Sequence, residues 1–134
     1  MNRKCAAGTG AFLEEMAYRL DLPLEELNDY ARRATDEITL GSYCTVFSAT
    51  EVLEKIRAGY PVADIVKGLF RSVVKRVLEM DTLTEHVVLT GGVAAHNSIL
   101  QEIFEEEIGH EALLPPFPQL TGALGAALFA MDLG

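Results

Sequence analysis

The segment opened by Pro61 carries the feature that most constrains this chain. Val62, Ile65, Val66, Leu69, Phe70, Val73, Val74, Val77 and Leu78 recur at spacings of three and four, with Arg71, Lys75 and Arg76 off the stripe. Pro61 sits where a helix begins, because its fixed φ suits the first turn and its missing N–H is not needed there. The spacing predicts one long amphipathic helix at the centre of the core. Burying each large apolar side chain on that face contributes about 1.5–3 kcal/mol.

The segments before it are also helical in period, with short breaks. Residues 10–20 place Leu13, Met16, Ala17 and Leu20 on one face, with Glu14 and Glu15 opposite. Pro23 starts a second helix that carries Leu24, Leu27, Tyr30, Ala31 and Ala34. A turn around Gly41 and Ser42 leads into Tyr43 to Phe47, a short aromatic and β-branched stretch. A helix then runs from about Ala49 to Ala58 and is stopped by Gly59.

The last third changes character. His86 to Thr90 reads as a short, buried parallel strand, and Gly91-Gly92 opens a helix bearing Ile99, Leu100, Ile103, Phe104 and Ile108. Gly109 ends that helix, and Ala112 to Leu114 form a second short strand stopped by Pro115-Pro116. Thr121 to Met131 is a Gly- and Ala-rich helix, of the kind that packs its backbone against a sheet or a ligand. Strand, glycine turn, helix, strand, helix gives an α/β class with helix in excess.

Composition narrows the function. The chain has 134 residues, 49% of them hydrophobic, which suits a single domain over 1–134 with one core. Eleven basic against twenty acidic residues leave a net charge of -9, which would repel a phosphate backbone and an anionic membrane surface. No nucleic acid or membrane partner is expected. No apolar run approaches the ~20 residues of a membrane span, and no signal segment opens the chain, so a soluble, cytoplasmic protein is expected. Two cysteines, Cys5 and Cys44, cannot close a four-cysteine metal site alone. They are core residues, a reactive thiol, or half of a site shared between chains.

Two segments carry the chemistry. In Asn2-Arg3-Lys4-Cys5-Ala6-Ala7-Gly8-Thr9-Gly10, a thiol and two glycines precede an amphipathic helix. The free N–H groups at such a helix start favour a thiolate, a phosphate or an iron–sulfur cluster, although the same pattern also suits an incidental cysteine before a late helix. In Leu89-Thr90-Gly91-Gly92-Val93-Ala94, two glycines between a strand and a helix allow positive φ and close approach to a ligand at the carboxyl end of the strand. If Thr121-Gly122-Ala123-Leu124-Gly125 packs beside that turn, the two make a flat wall suited to a nucleotide. His86 and His110 read as surface residues, His96 as either a ligand contact or a plain helix-start residue, and Glu105 to Glu107 as a solvated charge run.

In this order, Lys4-Cys-Ala-Ala-Gly-Thr-Gly, Cys44-Thr-Val-Phe, Thr90-Gly-Gly-Val-Ala and Gly122-Ala-Leu-Gly-Ala-Ala resemble the ATPase activators of 2-hydroxyacyl-CoA dehydratases and the related ATPase subunits of benzoyl-CoA reductase. The resemblance covers nearly the whole chain. It implies a helix-rich, ribonuclease H-like lobe of the actin, Hsp70 and sugar kinase superfamily, with a short parallel sheet. It also implies ATP or ADP with magnesium, bound through Gly8, Thr9, Gly10, Gly91, Gly92, Val93, His96, Asn97 and Gly122. Cys5 and Cys44 would be metal ligands, two from each subunit of a homodimer holding one [4Fe–4S] cluster. Implied partners are a second copy, a dehydratase or reductase component, and an electron donor such as ferredoxin or flavodoxin.

The resemblance also implies pieces that this sequence does not carry. A phosphate-binding hairpin and an Asp-Gly-Gly turn, usual before the Cys5 motif, are not found, and none of Asp21, Asp29, Asp36, Asp64, Asp81 or Asp132 follows a strand and precedes Gly-Gly. The chain is therefore expected to be a C-terminal lobe, with magnesium ligands and hydrolytic residues in the other lobe and no catalytic residue of its own. Arg3 stands where the family has Asp, and Ser48-Ala49-Thr50-Glu51 where it has Ala-Glu-Ser-Glu. His96 occupies the family's usual Asn place with Asn97 one later, which leaves the adenosine contact open between them. The rival reading is a lobe of a small-molecule, sugar-type kinase, or a plain nucleotide-binding module with structural cysteines.

Overall fold

The computed structural model describes residues 8–41, 45–80, 83 and 86–132. The predicted core helix is present as α4, Val62–Leu78, and it organises the rest. Ile65, Val66, Leu69, Phe70, Val73 and Val74 are buried along it. Around them pack α1 (Thr9–Arg19), α2 (Leu27–Arg32), α3 (Thr45–Arg57) and α6 (Ser98–Ile108). Their contributions include Phe12, Leu13 and Met16 from α1, Leu27 from α2, Val52 from α3, and Ile99, Ile103 and Phe104 from α6. Gly68 lets the connecting segment lie directly on α4: a Cβ there would meet the Ile38 carbonyl oxygen at 3.0 Å.

Element boundaries follow local chemistry. Pro23 is followed by a 3-10 turn at Leu24–Glu26, which tightens the entry to α2. Gly59 and Gly109 adopt positive φ, 82° and 76°, and end α3 and α6 as left-handed caps. The stretch 43–47 differs from its reading. Residues 42–44 lie outside the described part, and from Thr45 the chain is already helical. The helix after Gly91 is also divided. A short α5, Gly92–His96, ends at Asn97, which takes an extended conformation (φ -127°, ψ 83°) before α6 begins.

The parallel sheet is reduced, among the described residues, to one bridge between Val88 and Leu113. Leu89 N–H donates to the Leu113 carbonyl and Leu113 N–H to the Val87 carbonyl, both at 2.9 Å, so the predicted direction of pairing is found without extended strands. The Gly- and Ala-rich α7, Thr121–Asp132, buries no residue. Leu124, Leu128, Phe129 and Met131 on it are more than half exposed.

Polar groups fix the elements to one another. Buried Asp64 accepts the Thr35 and Asp36 N–H groups at 2.8 and 3.2 Å, tying α4 to the segment after α2. Arg71 bonds Glu37, Glu106 and Glu107 at 2.8, 3.0 and 3.1 Å. The glutamate run on α6 is thus not simply solvated, because α4 sets a cation against it. Arg76, read as lying off the apolar stripe, is buried, its Cζ 5.2 Å from the centre of the Phe12 ring. Its Nε and Nη2 have no hydrogen-bond partner among the described residues.

Candidate functional site

The start of α1 and the Gly91-Gly92 turn, separated by about eighty positions in sequence, meet in space. A Cβ on Gly10 would lie 3.8 Å from Val93 Cγ2, so a larger residue there would crowd the space between α1 and α5. Gly8 precedes α1 in an extended conformation, and no side chain among the described residues caps that helix. Its first N–H groups are therefore without a side-chain acceptor among the described residues, a setting that suits an anion.

Two cavities open on either side of this junction. One, of about 530 Å³, has Gly10, Leu13 and Glu14 of α1, Leu24 and Glu25, and Gly92, Val93, His96 and Asn97 in its walls. The other, of about 390 Å³, is bordered by Thr9, Thr90 and Gly91 and by apolar side chains of α4 and α6. Gly92 and Val93 belong to both. Thr9, Gly10, Gly91, Gly92, Val93, His96 and Asn97 are thereby brought to one cleft. Gly8 adjoins it as the residue before α1. Gly122 lies outside both cavities, with no atom of another described element within 4 Å of where its side chain would be.

The glycine turn is held by a different neighbour than the sequence suggests. Gly91 has φ 96° and ψ 169°, a region essentially reserved for glycine, and its N–H donates to the Pro118 carbonyl at 2.8 Å. The 3-10 turn Pro118–Leu120, not α7, lies against α5. Pro115, Pro116 and Pro118 constrain the backbone here, so the chain reaches the glycine turn through this short element before α7 starts.

His96 and Asn97 have different surroundings. Asn97 is buried, donates from Nδ2 to the Val93 carbonyl at 2.8 Å and accepts from Asn28 Nδ2 at 3.4 Å. Asn28 also donates to the His96 carbonyl at 3.0 Å and accepts the Ile99 N–H at 3.3 Å, which pins the junction of α5 and α6. The His96 side chain is exposed at the cavity. Asn28 was not singled out in the sequence, since a single Asn on a helix gives no signal until its partner loop is known. Leu24 and Glu25 escaped notice for the same reason.

Arg32 closes the neighbouring surface, donating from Nη1 to Glu102 at 2.8 Å and from Nη2 to Ser98 at 3.0 Å. The hydrogen bond to Glu102 raises its already high pKa. Cys5 and Cys44, the expected metal ligands, lie outside the described residues. Glu51, near the start of α3, accepts the Gly41 N–H at 2.9 Å and so anchors the segment that leads toward Cys44. No group of three or more His, Cys, Asp or Glu among the described residues is placed to hold a metal ion. No helix among them is long and apolar enough to cross a membrane.

The model of the BadF/BadG/BcrA/BcrD ATPase family matches residues 1–130. The 2-hydroxyisocaproyl-CoA dehydratase activator of Clostridioides difficile is 42% identical over 98% of this chain and 50% of its own length. The solved structure of the activator of the 2-hydroxyisocaproyl-CoA dehydratase from Clostridium difficile with bound ADPNP superposes with a TM-score of 0.83 at 41% identity, covering 98% of this chain and 50% of that one. Component A of the Acidaminococcus fermentans (R)-2-hydroxyglutaryl-CoA dehydratase superposes with a TM-score of 0.85 at 40% identity, covering 96% and 50%. The chain shares the fold of these activators and spans about half their length.

Proposed function

Because the chain belongs to the BadF/BadG/BcrA/BcrD ATPase family, we propose that it is the nucleotide-binding, [4Fe–4S]-bearing lobe of an ATP-dependent electron-transfer activator. Its target would be a 2-hydroxyacyl-CoA dehydratase or an aromatic acyl-CoA reductase, its setting the cytoplasm, and residues 1–134 one domain. The observation that carries the nucleotide part is the cleft between α1 and the Gly91-Gly92 turn, in a chain whose fold is shared with an activator solved with ADPNP.

The residues fit that ligand. Gly92 and Gly10 keep the cleft free of side chains, Leu13 and Val93 offer apolar walls for a base, and exposed His96 is free to touch the nucleoside. Asn97 and Asn28 act behind it by holding α5 in place. The uncapped start of α1, with Gly8 and Thr9, supplies N–H groups to phosphate oxygens. Gly122 would reach the nucleotide only if α7 moved toward the cleft. Magnesium ligands and the hydrolytic residues belong to the other lobe.

The cluster part rests on the cysteine count and the family pattern. Two thiolates per chain, Cys5 and Cys44, make four across a homodimer, and Cys5 stands four positions before α1. The cluster would supply one-electron chemistry to a dehydratase or reductase component, recharged by a ferredoxin or flavodoxin. Anaerobic reconstitution tests this reading. About four iron and four sulfide per dimer, lost with Cys5→Ser or Cys44→Ser, support it. A cluster-free protein after fully anaerobic preparation contradicts it.

A further inference from the structure

Two charged side chains are buried among the described residues, and they are treated differently. Asp64 accepts two N–H groups, from Thr35 and Asp36. Arg76 is 6% exposed, and its Nε and Nη2 have no hydrogen-bond partner among the described residues. Arg19, Arg32 and Arg71, all nearer the surface, each meet a glutamate. Arg76 has only the Phe12 ring, 5.2 Å from its Cζ, and Ser72 one turn earlier sends its hydroxyl to the Leu69 carbonyl at 2.7 Å. A ring face does not replace the water or counter-charge that a buried cation has lost. Such a group calls for an explanation outside the packing, and a redox role is one of the few that apply.

Its position supplies that role. Phe12 belongs to the first turn of α1, its N–H bonded to the Gly8 carbonyl at 3.0 Å, so Arg76 lies directly behind the start of that helix. α3 packs on both α1 and α4, burying Ser48, Ala49 and Val52 of its first two turns. Each of these two helices follows a cysteine. Cys44 is the neighbour of Thr45, so its Cα is about 3.8 Å away, and four residues of chain keep Cys5 within about 14 Å of Thr9. Connectivity alone holds both thiols near the helix starts that meet Arg76 on α4.

We propose that Arg76 is the buried positive charge that raises the reduction potential of the cluster held by Cys5 and Cys44. The inference rests on reading the chain as the cluster-bearing lobe. A cluster ligated by thiolates becomes more negative when it takes up an electron, so a fixed cation favours the reduced form. Burial makes the effect larger than that of a surface charge, because neither water nor salt screens it. The same burial explains why the guanidinium is kept although it leaves two donors unused.

The test reconstitutes the cluster anaerobically on the unmodified chain and on Arg76→Met, Arg76→Lys and Arg19→Met, and titrates each with redox dyes under spectroscopic control. Arg76→Met should bind the same iron and sulfide. At the midpoint potential of the unmodified protein, its ratio of reduced to oxidised cluster should fall at least tenfold, a downward shift of about 59 mV for one electron. Arg76→Lys, which keeps the charge, should stay within threefold of the unmodified ratio. So should Arg19→Met, which removes an equal charge from the exposed far end of α1. The proposal is overturned by an unmoved potential in Arg76→Met, by equal shifts in Arg76→Lys or Arg19→Met, or by loss of the cluster from Arg76→Met alone, which would make the side chain a structural support. Failure of the cluster reading itself shows separately, as absent iron in the unmodified chain, and overturns both.

Discussion

The Gly91 N–H donates to the Pro118 carbonyl oxygen at 2.8 Å, so the glycine turn and the 3-10 turn before α7 are one structural unit. The conformation at Gly91 has positive φ with extended ψ, which a Cβ disfavours by about 1–3 kcal/mol. Gly91→Ala should lower stability by that amount in urea unfolding. Gly92→Ala should change it by less than about 0.5 kcal/mol, since Gly92 is exposed and its nearest neighbour, Gln119 Oε1, is 4.0 Å from the added carbon. Equal effects at the two positions would contradict this account.

Arg76 gives a prediction of opposite sign to most core substitutions. Its guanidinium gains about 0.5–2 kcal/mol from the Phe12 ring but leaves two buried donors without a partner among the described residues, at about 1–3 kcal/mol each. The second effect is larger. Arg76→Met, which keeps the length and removes the charge, should raise the melting temperature of the isolated chain by a few degrees. A fall would show that the guanidinium is stabilising where it lies.

Glu105 links α6 to the Leu113 segment, and its bonds from Ala112 N–H first and Gln101 second hold its carboxyl below the ordinary carboxylate range. The unfolded chain therefore takes up the proton first as pH falls. The stabilisation is complete above the unfolded pKa of about 4.3 and is lost as pH drops through the lower folded value. Urea midpoints measured from pH 6 downward should fall less steeply for Glu105→Gln than for the unmodified chain. Parallel curves would contradict the assignment.

How much was legible follows from where each signal resides. The α4 stripe is local and periodic, so Val62 to Leu78 could be read directly, and Gly59 and Gly109 announced their caps because only positive φ explains glycine there. Thr45 to Phe47 were read as a stretch before the helix, but their β-branched and aromatic side chains oppose a helix only weakly when that helix packs on α1 and α4, so it begins four residues earlier than expected. Asn97 broke the expected helix through a bond to its own chain four residues back and another to Asn28, sixty-nine positions away. The residues singled out by motif from Thr9 to Asn97 line the two cavities, but Leu24 and Glu25 enter only through the packing of their 3-10 turn on α1, and Asn28 through the packing of α2 against α6. Gly122 and the rest of α7 stay outside the two cavities, as α7 is apolar on all sides and carries no stripe that directs one face inward.

The central claim is that a nucleotide occupies the cleft between α1 and the Gly91-Gly92 turn, and Gly92 offers the sharpest handle because it borders both cavities. Isothermal titration of ATP into the unmodified chain and into Gly92→Val measures this directly. The account predicts binding by the former and at least a tenfold loss in the latter, with urea midpoints that agree within error. Undiminished binding by Gly92→Val, or no binding by the unmodified chain, would contradict it.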